Sequence, residues 1–264
     1  MVRSAAVTVL PKHALLDGRV AVVTGAAVGI GEATALALAT YGADLAICDR
    51  DADGLAGTAA GIAACGRRAL PEVLDVRDPD AVHRFIDRVR ADHGRVDVLV
   101  NNAGGGFMAA FTDVSAKGQD ALIRENFTSA ASFIRATVPL MPAEGASIVN
   151  ITSIEAHRAG PGFAVYSAMK AALANLTKSL ALELGDRMIR VNCVAPDVIP
   201  TPGIGPLPVS TPLARAGHVD DVAGAVVFLA GDQARFITGT TIHVDGGNHA
   251  AGGWHRDDEG RFTT

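Results

Sequence analysis

Apolar and polar positions along this chain follow two alternating rhythms. Short β-branched runs read as strands buried on both faces. They fall at residues 19–24, 44–48, a run ending at Leu74, Asp75 and Val76, then 96–100, 147–152, 188–194 and 240–244. Longer Ala- and Leu-rich stretches with helical spacing lie between them, at 32–41, 52–64, 78–92, 115–141, 162–184 and 219–230. In 78–92 the stripe is explicit, with Val82, Phe85, Ile86 and Val89 on one face. Strand and helix alternate about seven times, which predicts an α/β architecture. The expected form is a doubly wound parallel sheet of about seven strands, with helices on both faces and right-handed crossovers. No repeat, low-complexity tract or linker divides the chain, so one domain over 1–264 is expected. Residues 1–17 read as an N-terminal leader, the proline-rich 200–217 as a loop or lid, and 246–264 as a C-terminal tail.

Candidate chemistry lies where strands end. The first strand runs into Thr24-Gly25-Ala26-Ala27-Val28-Gly29-Ile30-Gly31. Glycines there permit a tight turn and let backbone approach a pyrophosphate at a helix N-terminus. The second strand ends in Asp49, eighteen residues after Gly31. A carboxylate at that place can accept both ribose hydroxyls of NAD and would repel the 2′-phosphate of NADP. Arg50 is adjacent and could pair with such a phosphate, whereas Val28 offers no second cation. NAD is the expected cofactor, and NADP the less favoured one.

Tyr166 and Lys170 stand four residues apart on one predicted helix, with Ser153 thirteen residues before the tyrosine. A tyrosine hydroxyl titrates near pH ~10. A lysine one turn away on the same face would favour the phenolate and pull that value towards neutrality. The Ser153 hydroxyl, at a strand end, could hold a substrate oxygen.

Composition adds exclusions. Hydrophobic residues make up 49% and aromatic ones only 5%, so the core is built from Ala, Val, Leu and Ile. A net charge of -5 without a basic block argues against nucleic acid as a partner. Cys48, Cys65 and Cys193 form no Cys-x-x-Cys pair. A disulfide frame or metal site is therefore not expected, and a reducing cytoplasm is the expected compartment. No apolar run reaches the ~20 residues of a membrane span.

With these motifs in order along the chain, the sequence resembles the short-chain dehydrogenase/reductase family. The matching pieces are Thr24-Gly25-x-x-x-Gly29-x-Gly31, Asp75-Val76, Asn101-Asn102-Ala103-Gly104, Asn126, Ser153, Tyr166-x-x-x-Lys170 and the segment 190–201. The resemblance implies a single-domain Rossmann fold, a nicotinamide cofactor and a homotetramer or homodimer. It implies that Tyr166 is the general acid/base, that Ser153 polarises the substrate oxygen, and that Lys170 lowers the Tyr166 pKa and holds the nicotinamide ribose. Asn126 would hold a water linking Lys170 to solvent. Asp75 would bind the adenine amino group beside the Val76 backbone. Asn102, Ala103 and Gly104 would line the adenine ribose, while Asn101 is as readily a purely structural residue. Ile199 and Thr201 would contact the carboxamide, and Pro196 belongs to the same cofactor-binding set. Where the family often has Pro-Gly, this chain has Pro196-Asp197. That puts the local loop shape in question, because glycine there often serves a special backbone angle.

The resemblance implies hydride transfer between NAD(H) and a secondary alcohol or ketone. Ile204, Leu207, Val209 and Leu213 in the lid suggest a hydrophobic or alicyclic small-molecule substrate. Glu155 and His157 are expected at the pocket rim, His157 as a surface residue. The tail, with His249, Trp254, His255 and Phe262, is expected to pack across a subunit boundary or to fray. The alternatives are an NADPH-dependent 3-oxoacyl thioester reductase and a catalytically silent nucleotide-binding protein.

Overall fold

The computed structural model describes residues 10–197, 199–202, 211–257 and 259–263. The main sheet is built from β1 (Val20–Thr24), β2 (Asp44–Asp49), β3 (Ala69–Val73), β4 (Val98–Asn101), β5 (Ala146–Ile151), β6 (Ile189–Pro196) and β7 (Thr241–Val244). Its order is β3-β2-β1-β4-β5-β6-β7, and every neighbouring pair is parallel. Parallel neighbours cannot be joined by a tight turn, so long crossovers return the chain between strands. These carry α1 (Gly29–Thr40), α2 (Ala52–Ala64), α3 (Pro79–His93), α4 (Ala116–Ile123), α5 (Ser129–Thr137), α6 (Ala164–Glu183) and α7 (Val219–Ala230).

Strand pleating sends alternate residues to opposite layers. In β4, Val98 and Val100 join Leu38, Leu55, Val226 and Leu229 of α1, α2 and α7 on one face. Leu99 joins Val82, Phe85, Ile86 and Val89 of α3 and Phe133 of α5 on the other. Phe85 and Phe133 meet edge to face, with centroids 6.4 Å apart. Burying each such side chain stabilises the fold by roughly 1.5–3 kcal/mol. Because both faces are covered, the strands carry apolar residues at consecutive positions.

The chain runs from β1 outward through β2 to β3, then returns to β4 on the other flank of β1. Ligands of open α/β sheets bind at such a reversal, outside the carboxyl ends of the strands. Since the sheet is parallel, the segments following β1 to β6 all emerge on this edge. After β7 come a short α8 (Asn248–Ala251) and a two-stranded ribbon of β8 (His255–Arg256) and β9 (Phe262–Thr263). No helix among the described residues is long and apolar enough to cross a membrane.

Among the boundaries that differ from the sequence reading, three bear on the site. Helix α1 starts at Gly29 rather than Glu32, directly after the extended Val28. Strand β3 stops at Val73: Leu74 N still donates to Asp49 O at 2.8 Å, after which Asp75 and Asp78 close a turn. The expected 115–141 helix is interrupted by a π-helical turn, Arg124–Thr128, between α4 and α5. There the side-chain amide of Asn126 enters the helical ladder and donates to Leu122 O at 2.9 Å.

Candidate active site

The turn after β1 is shaped by contacts only glycine permits. Gly25 has φ +66°, and a Cβ on it would come within 2.9 Å of Asn102 Nδ2. A Cβ on Gly31 would collide with the Gly25 carbonyl. Gly29 faces Thr201, whose Cγ2 lies 3.1 Å from where its Cβ would stand, and Ile30, in the first turn of α1, packs against the core. Val28, the residue before α1, places no side-chain cap on the helix, so its first N–H groups are open to an anion. Asp49 accepts from Ala27 N and Asp51 N, each at 3.0 Å, which fixes a carboxylate beside the glycine turn. An open helix end flanked by a held carboxylate fits the pyrophosphate and ribose of a dinucleotide.

Asp75, beyond the end of β3, is gripped by Arg77, whose Nε reaches Oδ1 at 2.9 Å and Oδ2 at 3.0 Å. This pairing holds the Asp75 carboxyl below the usual range, with the exposed Arg50 adding a weaker pull. The carboxylate expected to meet adenine directly is thus already paired. Val76 beside it is partly buried against the α3 face. Asn102 braces the glycine turn, its amide donating to Thr24 O at 3.0 Å and Gly25 O at 2.9 Å. Thr24 Oγ1 in turn accepts from the Asn102 and Ala103 N–H groups. Asn101 is structural: its Nδ2 donates to Asn150 Oδ1 at 2.8 Å across buried strand ends.

Beyond β4, the backbone of Gly105 is held from the π turn. Asn126 Nδ2 donates to Gly105 O at 2.8 Å, and Asn126 Oδ1 accepts from Gly105 N at 3.1 Å. A Cβ on Gly104 would lie 2.7 Å from Asn126 Oδ1 and 2.9 Å from Lys170 Nζ. Lys170 is 3% exposed and donates to Ile151 O, at the end of β5, at 3.0 Å. Ser153 opens the turn that follows β5, its Oγ accepting from Glu155 N at 3.2 Å. Tyr166, on α6, has its hydroxyl against Ser153 and its ring packed on Phe163, with centroids 6.3 Å apart. The structure therefore brings Asn126, Ser153, Tyr166 and Lys170 into one cluster around Gly104 and Gly105.

One expectation is corrected. Lys170 Nζ lies over the Tyr166 ring, 5.5 Å from its centroid. Burial pushes the Tyr166 hydroxyl above its ordinary value, the hydrogen bond from Ser153 draws it down, and the Glu155 charge raises it. The Lys170 ammonium is driven down to about 8 by burial, against the pull of Cys193 and Glu125. In this arrangement burial sets the direction for the phenol, and Ser153 rather than Lys170 draws it down.

Pro196 ends β6 opposite Val244, and Ile199 is buried behind the turn. Asp197 needs no special backbone angle, since Met188 is the only non-glycine with positive φ among the described residues. Its carboxylate instead accepts from Asn248 Nδ2 at 2.6 Å and Arg158 Nη2 at 3.4 Å. Sequence reading missed Glu125 and these Asp197 partners, which come from distant segments and carry no local motif, and it also missed Arg77, two residues from Asp75. Of the lid, Thr201 touches the glycine turn, Leu213 is exposed, and Arg215 pairs with Asp221 at 2.7 Å. Ile204, Leu207 and Val209 lie outside the described residues, as does most of the N-terminal leader.

This fold and motif order define a class, and comparison with known proteins agrees. The family model described as enoyl-(acyl carrier protein) reductase matches residues 25–249. The 3-oxoacyl-(acyl-carrier-protein) reductase FabG of Thermotoga maritima is 37% identical over 244 residues, covering 88% of this chain and 98% of that protein. The cis-4-hydroxycyclohexanecarboxylate dehydrogenase of Sinomonas cyclohexanicum is 39% identical over 239 residues, covering 87% and 96%. The crystal structure of carveol dehydrogenase from Mycobacterium avium in complex with NAD matches with TM-score 0.83 at 30% identity, covering 88% of this chain and 97% of that one. The chain belongs to the short-chain dehydrogenase/reductase family of oxidoreductases.

Proposed function

We propose that this protein transfers a hydride between NAD(H) and a secondary alcohol or ketone, on a hydrophobic or alicyclic substrate. The observation that carries the reading is Lys170, buried to 3% exposure, bonded to the end of β5 at 3.0 Å and 5.5 Å from the centroid of the Tyr166 ring. Bound nicotinamide would supply the hydride donor or acceptor. Ser153 holds the substrate oxygen by a hydrogen bond, and Tyr166 gives that oxygen a proton or takes one from it. Lys170 keeps a positive charge beneath the tyrosine and reaches towards the ribose side at Gly104. Asn126 fixes the Gly105 backbone, beside which the cofactor would lie. Gly25, Gly29, Ile30 and Gly31 would hold the pyrophosphate, and Asp49 the adenine ribose.

Two features support NAD over NADP: the carboxylate of Asp49 beside the glycine turn, and the NAD in the carveol dehydrogenase structure. The hydroxycyclohexanecarboxylate dehydrogenase supports an alicyclic alcohol, whereas the Thermotoga reductase supports the thioester alternative. A cofactor-fluorescence screen separates them. Alcohols and ketones are tested with NAD(H) and NADP(H) in parallel, beside a 3-oxoacyl thioester. NAD(H)-dependent turnover of a cyclic secondary alcohol supports the proposal; thioester reduction with NADPH alone, or no turnover at all, contradicts it.

A further inference from the structure

Three imidazoles meet beside the candidate site, and the proposed chemistry uses none of them. His157 ends the short turn that Ser153 opens, His243 lies in β7, and His249 lies in α8. His243 and His249 are stacked, with centroids 4.3 Å apart and planes 6° from parallel. His157 sits edge-on to both, at 4.8 Å from His243 and 5.9 Å from His249. Nε2 of His157 and Nδ1 of His243 are buried without a hydrogen-bond partner. Among the described residues no group of three or more His, Cys, Asp or Glu side chains is arranged to hold a metal ion. The rings are held by packing against one another.

A second connection runs alongside. Asn248, next to His249, bonds Asp197, and Arg158, next to His157, bridges Asp197 and Glu155. Asp245 fixes the start of α8 by accepting from Gly247 N at 2.9 Å and His249 N at 2.8 Å. The turn carrying Ser153 is therefore tied to the sheet edge and to α8 at both His157 and Glu155.

We propose that His157, His243 and His249 form an imidazole clamp that positions the Ser153 turn, and that protonating His157 or His243 releases it. Two imidazolium rings in stacking contact repel each other, and a buried unpartnered ring nitrogen has no acceptor for an added proton. Lys178 faces His157 and adds to the repulsion; Asp245 faces His243 and opposes it. Burial first, then the neighbouring rings, holds His157 and His243 below the ordinary imidazole value. The unfolded chain thus binds more protons than the folded one as pH falls below about 6.5, so folded stability is present above that pH and lost beneath it. Only the catalytic part of this inference rests on the dehydrogenase reading; the stability part does not.

The test follows the full-length protein from about pH 8 to about pH 5, through the imidazole range. Tm is read alone, and kcat and cofactor KM with NADH and a ketone found by the screen, the direction in which Tyr166 stays protonated throughout. His249→Phe keeps a stacking ring but cannot titrate, and His157→Gln removes one ring of the clamp. The wild type is expected to lose Tm and kcat together below about pH 6.5, and His249→Phe to flatten both losses. His157→Gln is expected to lower kcat roughly tenfold at neutral pH, through misplacement of Ser153, with cofactor KM unchanged. A wild-type Tm that is flat over this range, or a loss undiminished in His249→Phe, overturns the clamp. A normal kcat in His157→Gln overturns its positioning role. A flattened Tm loss in His249→Phe with no turnover in any variant supports the clamp and counts against the dehydrogenase reading alone.

Discussion

Lys170 directs its ammonium to the carbonyl of Ile151 at 3.0 Å and lies over the Tyr166 ring, 5.5 Å from the centroid. The tyrosine hydroxyl takes its proton affinity first from burial and then from Ser153. At neutral pH it is a proton donor. Ketone reduction, which needs that donor, should run at neutral pH, whereas alcohol oxidation needs the phenolate. We expect kcat/KM for oxidation to rise from about pH 7 to about pH 10 and that for reduction to fall over the same range. Steady-state rates in both directions check this; an oxidation rate that does not change with pH contradicts it.

Lys170 also leaves a mark on stability. Its folded-state pKa is about 8 against an ordinary 10.5, so between these values the unfolded chain binds more protons than the folded one. Stability should therefore rise with pH across this window in the wild type relative to Lys170→Met. Glu125→Gln removes a carboxylate that favours the ammonium, and should extend the window to lower pH. Thermal denaturation of the three proteins reads the sign directly, and a relative loss of wild-type stability towards alkaline pH would be the wrong sign.

Asp49 is expected to set cofactor choice. Asp49→Asn keeps an oxygen for Ala27 N or Asp51 N but removes the charge beside the 2′ position. The ratio of kcat/KM for NAD to that for NADP should fall about tenfold, a change of roughly 1.4 kcal/mol. An unchanged ratio would remove Asp49 from the adenosine site.

Gly104 leaves no room for a side chain. A methyl group there would stand 2.7 Å from Asn126 Oδ1 and 2.9 Å from Lys170 Nζ. The lysine end is the part able to move, so Gly104→Ala should fold while losing roughly 100-fold in kcat through displacement of Lys170. Circular dichroism and kcat together test this, and full activity would show that Lys170 needs no fixed seat.

Much of this fold is legible in sequence because its causes are local. Strands covered on both faces carry apolar residues at consecutive positions, and α3 displays its buried stripe of Val82, Phe85, Ile86 and Val89. The glycine turn and the Tyr166-Lys170 spacing are equally local. What sequence does not display depends on partners far along the chain. The π turn arises where Asn126 meets Gly105, twenty-one residues away. Asp197 finds Asn248, and His157 finds His243 and His249. The electrostatics of Tyr166 escaped for the same reason. Spacing places a cation nearby, but packing buries the hydroxyl and sets Ser153 and Glu155 against it.

The account stands on Tyr166 carrying the proton of the reacting oxygen. Tyr166→Phe keeps the ring against Phe163 and removes only the hydroxyl that meets Ser153. Steady-state kinetics of this variant with NAD and the preferred alcohol is the most direct measurement. A loss of at least about 100-fold in kcat, with cofactor affinity and Tm near the wild-type values, is the predicted result. Turnover within a few-fold of the wild type would contradict it.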